Sequence, residues 1–174
     1  MTSPFTGGEV RLCEEPRALT YRKEQYAYIH HNYLCVDTGM YFTDTALDTA
    51  NLEQVYAQYR EKYGIPSPAE IAQTRKMYGL SATKMAQVLG LGVNQYRLYE
   101  AGEMPSEAIG KMLKSIQTPM VFYGYVENAR KQMPQDDYAK LFQKVQHRII
   151  EEMKKMTSLT KFSDMFYLSP IALQ

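Results

Sequence analysis

The spacing of apolar residues changes along the chain and divides it into four stretches. In residues 1–43, Tyr26, Tyr28 and His30 interleave with Ala27, Ile29 and His31, the period of two that marks strands. Thr6-Gly7 and Thr38-Gly39 read as turns, so a small antiparallel sheet is predicted. Residues 44–64 switch to a helical period. Leu52, Val55, Tyr56, Tyr59 and Tyr63 share one face and Gly64 supplies a stop, which predicts a connector helix with an aromatic side.

Residues 65–117 are dense in helix punctuation. Ser67-Pro68-Ala69-Glu70 is a capping box with proline at the first helical position, and that helix ends at Gly79. Ser81 caps a second helix, 82–89, with Leu80 and Met85 spaced as a hydrophobic staple and Gly90 as its stop. A third helix is expected over about 93–101, before Gly102. A fourth follows Pro105-Ser106, with Ile109, Met112, Leu113 and Ile116 on one face.

Residues 118–174 predict two more helices and a tail. Thr118-Pro119 opens the first, Val121, Phe122, Tyr125, Val126 and Ala129 form its stripe, and Pro134 breaks it. Tyr138, Leu141, Phe142, Val145, Ile149, Met153 and Met156 line the second, 135–156. Asp136 and Asp137 at its start and Lys154 and Lys155 at its end suit the helix dipole. Its long stripe could also pair with a symmetry mate. Residues 157–174 read as irregular but apolar (Leu159, Phe162, Met165 to Leu168), a tail that packs back or meets a partner. The expected class is therefore α+β: a small N-terminal sheet, a connector helix, a helical domain and a C-terminal helical extension.

Composition narrows the function classes. The 174 residues are 45% hydrophobic and 22% charged, which suits one domain or two small ones with real cores. No run approaches the roughly 18 apolar residues of a membrane span, and no secretory signal is recognisable at the N-terminus. Two cysteines cannot make a disulfide framework and point to a reducing cytoplasm. The formal charge of +1 argues against a purely electrostatic nucleic-acid binder, while leaving room for a local surface. No phosphate-binding glycine loop, nucleophile elbow or metalloprotease helix occurs, and His30, His31 and His147 lack a telling spacing. An enzyme is not expected.

The most informative stretch is GLSATKMAQVLGLGVNQYRLYEAGEMPS, residues 79–106. Gly79-Leu80-Ser81, Leu89-Gly90, Tyr99-Glu100 and Gly102 stand in the register of the XRE (lambda repressor and Cro-like) helix-turn-helix, which this stretch resembles. A glycine in a left-handed conformation lets such a chain turn sharply between helices, and the second helix then lies in the major groove. On that reading Tyr96, Tyr99, Met85, Val88 and Leu89 are core and Glu100 is structural. Val93, Asn94, Gln95 and Arg97 would meet base edges; Asn and Gln can pair bidentately with adenine and Arg with guanine. Ser81, Thr83 and Lys84 would hold a phosphate.

LGLGVNQYRLYEAGEMPS resembles more closely the DNA-binding half of MqsA-type (YgiT-type) antitoxins. The resemblance extends over residues 1–117 and is clearest from Tyr56 onward. It implies a homodimer that binds double-stranded DNA, represses its own operon and neutralises a cognate toxin protein. In that family an asparagine at the position of Asn94 and an arginine at that of Leu98 read bases; here Arg97 lies one residue earlier, about 100° around the helix. Ala82 stands where many relatives carry a polar residue. The competing reading is a protein-interaction module whose helix-turn-helix no longer binds DNA, since residues 65–117 carry six Lys or Arg against four Glu.

The family's N-terminal domain holds zinc on two C-x-x-C-G knuckles. Here the corresponding segments are Ser3-Pro4-Phe5-Thr6-Gly7 and Cys35-Val36-Asp37-Thr38-Gly39. Spacing and glycines are kept, but only Cys35 remains of four thiolates, so no zinc and no other cofactor is expected. Cys13, His30 and His31 are poor substitutes, because neighbouring histidines on a strand point to opposite faces. The expectation is that the turns persist, that tyrosine packing replaces the metal, and that both cysteines are free and semi-buried.

Overall fold

The structure, a computed structural model, describes residues 1–167, with side chains described through residue 157. The chain divides into two compact units, Met1–Ser67 and Pro68–Gln174. The α+β class holds: a three-stranded antiparallel sheet is followed by helices. The 44–64 segment belongs to the first unit, and the helices after residue 118 belong to the second. No helix among the described residues is long and apolar enough to cross a membrane.

In the first unit β1 (Val10–Tyr21) and β2 (Glu24–Cys35) form a long hairpin, registered from Tyr21↔Glu24 to Val10↔Cys35. Its two-residue turn, Arg22 (φ 47) and Lys23 (φ 71), lies in the left-handed region without a glycine, a conformation that costs non-glycine residues energy. Arg22 offsets that cost. Its guanidinium lies 5.1 Å from the centre of the Tyr59 ring, and its Nη1 donates to the Tyr59 hydroxyl at 3.0 Å. β3 (Tyr41–Phe42) pairs with Tyr33 and Leu34 of β2.

Helix α1 (Thr45–Tyr63) is capped by Asp44, whose carboxylate accepts from the Leu47 amide at 2.8 Å, and it ends at Gly64. Its amide side chains complete the outer edge of β2. Asn51 accepts from the His31 N–H at 2.8 Å and donates to the His31 carbonyl at 2.9 Å. Gln54 does the same for Ile29 at 3.0 and 2.8 Å, and Gln58 donates to the Ala27 carbonyl at 2.9 Å. Positions 51, 54 and 58 share one helix face, while 31, 29 and 27 point their polar backbone groups to one side of the strand. Helical spacing thus meets strand spacing, and the amides take the place of a neighbouring strand.

That arrangement also modifies the expectation for the histidines. His30 Nδ1 lies 3.2 Å from Asn51 Nδ2 and His31 Nδ1 lies 3.2 Å from Asn51 Oδ1. Both reach one residue because Asn51 sits at the strand's edge rather than on a face.

The second unit contains α2 (Pro68–Tyr78), α3 (Ala82–Val88), α4 (Gln95–Glu100), α5 (Glu107–Ser115), α6 (Pro119–Ala129), a 3₁₀ turn (Arg130–Gln132) and α7 (Gln135–Tyr167). Its core joins Tyr78 and Met85 of α2 and α3, Tyr96 and Tyr99 of α4, Leu113 and Ile116 of the α5 region, Phe122 and Val126 of α6, and Leu141 and Val145 of α7. Tyr78 and Phe122 stack with ring centres 3.9 Å apart.

Two helix limits differ from expectation. α4 starts at Gln95, not near residue 93, because Gly92, Val93 and Asn94 form a turn closed by the Gln95 N–H donating to the Gly92 carbonyl at 2.9 Å. Helix α7 runs through Tyr167 rather than stopping at 156, so residues 157–167 are helical and not an irregular tail. The Lys154-Lys155 pair resembles a helix end, yet no glycine or proline interrupts residues 135–167. The remainder of the expected apolar tail, from Leu168 onward, lies outside the described residues.

Candidate nucleic-acid interface

The α3–α4 pair is built from local signals. Ser81 caps α3, its hydroxyl accepting from the Lys84 amide at 3.2 Å. Gly90 takes a φ of 69° after α3, which a β-carbon would penalise. The Leu91 N–H then donates back to the Ala86 carbonyl at 2.8 Å, fixing the turn.

Helix α4 is anchored from behind. Tyr96 is fully buried and donates its hydroxyl to the Ile71 carbonyl at 2.9 Å, and Tyr99 is buried beside the same core. Burial holds the Tyr96 phenol above its ordinary pKa, so it stays a donor at any physiological pH. Glu100 forms a two-point pair with Arg75, Nε to Oε1 at 2.5 Å and Nη2 to Oε2 at 3.0 Å, and Arg75 Nη1 also donates to the Leu80 carbonyl at 2.9 Å. Arg75 and Glu100 therefore bind α2 to α4, and Arg75 is spent on structure.

What remains outward is compact. Gly92, Val93, Asn94, Arg97 and Leu98 are exposed, with Val93 at 68% and Leu98 at 39%. Asn94, Arg97 and Leu98 stand at i, i+3 and i+4 and so share one face. Leu98 was legible as a member of this face by that spacing. Thr83 is exposed, and so is Ser81 at the head of α3.

Three sequence-derived candidates are engaged elsewhere. Lys84 Nζ lies 2.7 Å from the Asp137 carboxylate at the start of α7, and holds that carboxyl below its ordinary pKa. Gln95 donates to Glu103 at 2.8 Å. Ser81 is occupied as a cap. The partners Asp137 and Glu103 lie 53 and 8 residues away, and no periodicity announces either contact.

The two knuckle-like segments come together in the first unit, and their backbones repeat one another. Ser3 N–H donates to the Gly8 carbonyl and Gly7 N–H to the Ser3 carbonyl; Cys35 N–H donates to the Met40 carbonyl and Gly39 N–H to the Cys35 carbonyl, all at 2.8–2.9 Å. Gly7 (φ 75) and Gly39 (φ 69) hold the left-handed corners.

Cys35 is fully buried rather than semi-buried, whereas Cys13 is half-buried. Hydrogen bonds from Ser3 first, then Thr38, lower the Cys35 thiol to about 7, and the Thr6 hydroxyl lies 3.8 Å from its sulfur. Three hydroxyls and one thiol are the wrong donor set for a tetrahedral zinc site, and no group of three His, Cys, Asp or Glu among the described residues is placed to hold a metal. Hydroxyl–thiol hydrogen bonding, not tyrosine packing, occupies this position. The tyrosine cluster (Tyr21, Tyr26, Tyr56, Tyr59 and Tyr63) gathers instead around the hairpin turn and the end of α1.

No protein-family model matches the sequence, and no curated protein matches it.

Proposed function

We propose that this protein is a sequence-specific DNA-binding transcriptional repressor, acting as a homodimer, and the antitoxin of a toxin–antitoxin pair that represses its own operon. The observation that carries this reading is the exposed face formed by Asn94, at the N-cap of α4, with Arg97 and Leu98 on the helix, backed by the buried Tyr96 and Tyr99 and preceded by the capped helix α3. A rigid helix offering an amide and a guanidinium on one side has the chemistry of major-groove readout. The sequence of the second unit adds a field of the right sign, with 14 Lys or Arg against 10 Asp or Glu. Val93 adds an apolar group suited to a thymine methyl. Phosphate binding at the head of α3 would fall to Thr83 and to the hydroxyl hydrogen of Ser81, whose oxygen serves as the cap, with Lys84 joining by exchanging Asp137 for a phosphate.

A second reading has its own support. Val93 and Leu98 are exposed apolar residues in this region, while Lys84 and Gln95 are already paired. That favours a protein-docking surface with no role for DNA. Fluorescence anisotropy with duplex from the protein's own promoter separates the two. DNA binding predicts that Asn94→Ala with Arg97→Ala weakens wild-type affinity by about 2–6 kcal/mol at matched salt, leaving the fold intact. Equal affinity of the two proteins would remove the base-reading roles, and no promoter binding by the wild type would favour the docking module. The antitoxin role predicts that an adjacent small reading frame arrests growth when expressed alone and is neutralised by this protein.

A further inference from the structure

The two edges of the hairpin are treated differently. The outer edge of β2 is filled by β3 and by the amides of Asn51, Gln54 and Gln58. Strand β1 lies at the other end of the sheet, and no strand among the described residues pairs with its outer side. Ile29 and His31 turn their N–H groups away from β1. Their antiparallel neighbours Pro16 and Glu14, and with them Leu12 and Val10, therefore turn their backbone groups away from β2. Proline at 16 fits, since its missing N–H falls on the open side. Twelve residues of open edge invite another strand.

We infer that this edge pairs with β1 of a second copy of the chain, antiparallel, about a two-fold axis at Cys13. The register follows from charge and backbone chemistry. With Cys13 opposite its mate, Leu12 lies opposite Glu14 and Val10 opposite Pro16, and the N–H groups of 10, 12 and 14 from each copy donate across the axis. The alternating pairs are Cys13 with Cys13, Arg11 with Glu15 and Glu9 with Arg17. These are the closely spaced pairs, where side chains interact most strongly.

Neighbouring registers fail. Sliding by one pair in one direction sets Glu9 against Glu15. Sliding in the other sets Arg11 against Arg17 and Glu14 against Glu14. Centring on Pro16 removes both middle hydrogen bonds. The Cys13 register also closes: each copy's far edge is already filled by β3 and α1, so the pairing ends at two chains. This dimer stands independently of DNA binding.

Cys13 supplies the test. Diamide treatment of the full-length protein joins the two Cys13 sulfurs, the two thiol hydrogens passing to diamide to give its hydrazine. A disulfide-linked dimer is expected on non-reducing gels from the wild type and from Cys35→Ser, and none from Cys13→Ser. Cys13→Ser with Ala18→Cys places the thiols far apart in this register and should stay monomeric on the gel. Arg11→Glu should lower the yield of linked dimer roughly tenfold, and Arg11→Glu with Glu15→Arg should restore it. Absence of the Cys13-linked dimer, equal linking through Ala18→Cys, or indifference to Arg11→Glu would overturn the pairing.

Discussion

The two units solve the burial problem in opposite ways. The second is an apolar core of sixteen buried hydrophobic residues reaching from Ile71 to Val145, with Thr74 the buried polar residue in the described part. The first buries Ser3, Asn32, Asn51 and Arg60 beside a few apolar side chains such as Val55 and Tyr59. Its cohesion comes from directed contacts: the amide ladder on β2, the hydroxyls around Cys35, and Glu24. Hydrogen bonds from Tyr26, then Tyr63 and Lys62, hold the Glu24 carboxylate at about 2. An apolar core tolerates relaxation around a lost group, whereas a polar network leaves the surviving partner unsatisfied. The first unit already carries one such debt, since Asn32 Oδ1 is buried without a partner among the described residues.

The largest expected effect tests the apolar side. Phe122→Ala removes the ring stacked on Tyr78 and should destabilise the second unit by about 3–5 kcal/mol. Hydrogen exchange should show lost protection across α2 to α6; unchanged protection there would break the picture of one cooperative core. The next tests the polar side. Asn51→Leu keeps the branched heavy-atom skeleton but strips the His31 N–H and carbonyl of their partners, at a cost of about 2–3 kcal/mol. The amide of His31 should exchange faster while that of Cys35, bonded to Met40, keeps its protection; protection lost equally at both would mean the ladder is not a local device.

The smallest effect concerns pH. The Cys35 thiol is lowered from 9.0 to about 7 in the folded protein, so its contribution to stability is fully present above pH 9 and is lost as pH falls through 7. The stability of the first unit should rise between pH 7 and pH 9, and Cys35→Ser should flatten that rise in denaturant titrations. An unchanged slope in the variant would mean that the hydroxyls do not favour the thiolate.

The same contrast governs what the sequence could reveal. Helices of the second unit were legible because glycine, proline and capping residues mark their limits and apolar residues repeat at helical spacing. The α4 face was legible for the same reason, through Asn94, Arg97 and the buried tyrosines. The first unit was legible only as strands and turns. Its stabilising contacts join Asn51 to His31 and Ser3 to Cys35 across 20 and 32 residues, between polar types that carry no periodic signal. The pairing of Lys84 with Asp137 was hidden in the same way. The end of α7 was misread because a charge pattern stood where a breaker did not.

The most direct test of the DNA-binding account is selection of a random duplex library on the wild type and on Arg97→Ala. The account predicts that the wild type enriches one motif with two-fold symmetry, and that Arg97→Ala loses the preference for guanine at one position of each half-site while retaining the rest. Enrichment of no motif by the wild type, or the same motif from both proteins, would contradict it.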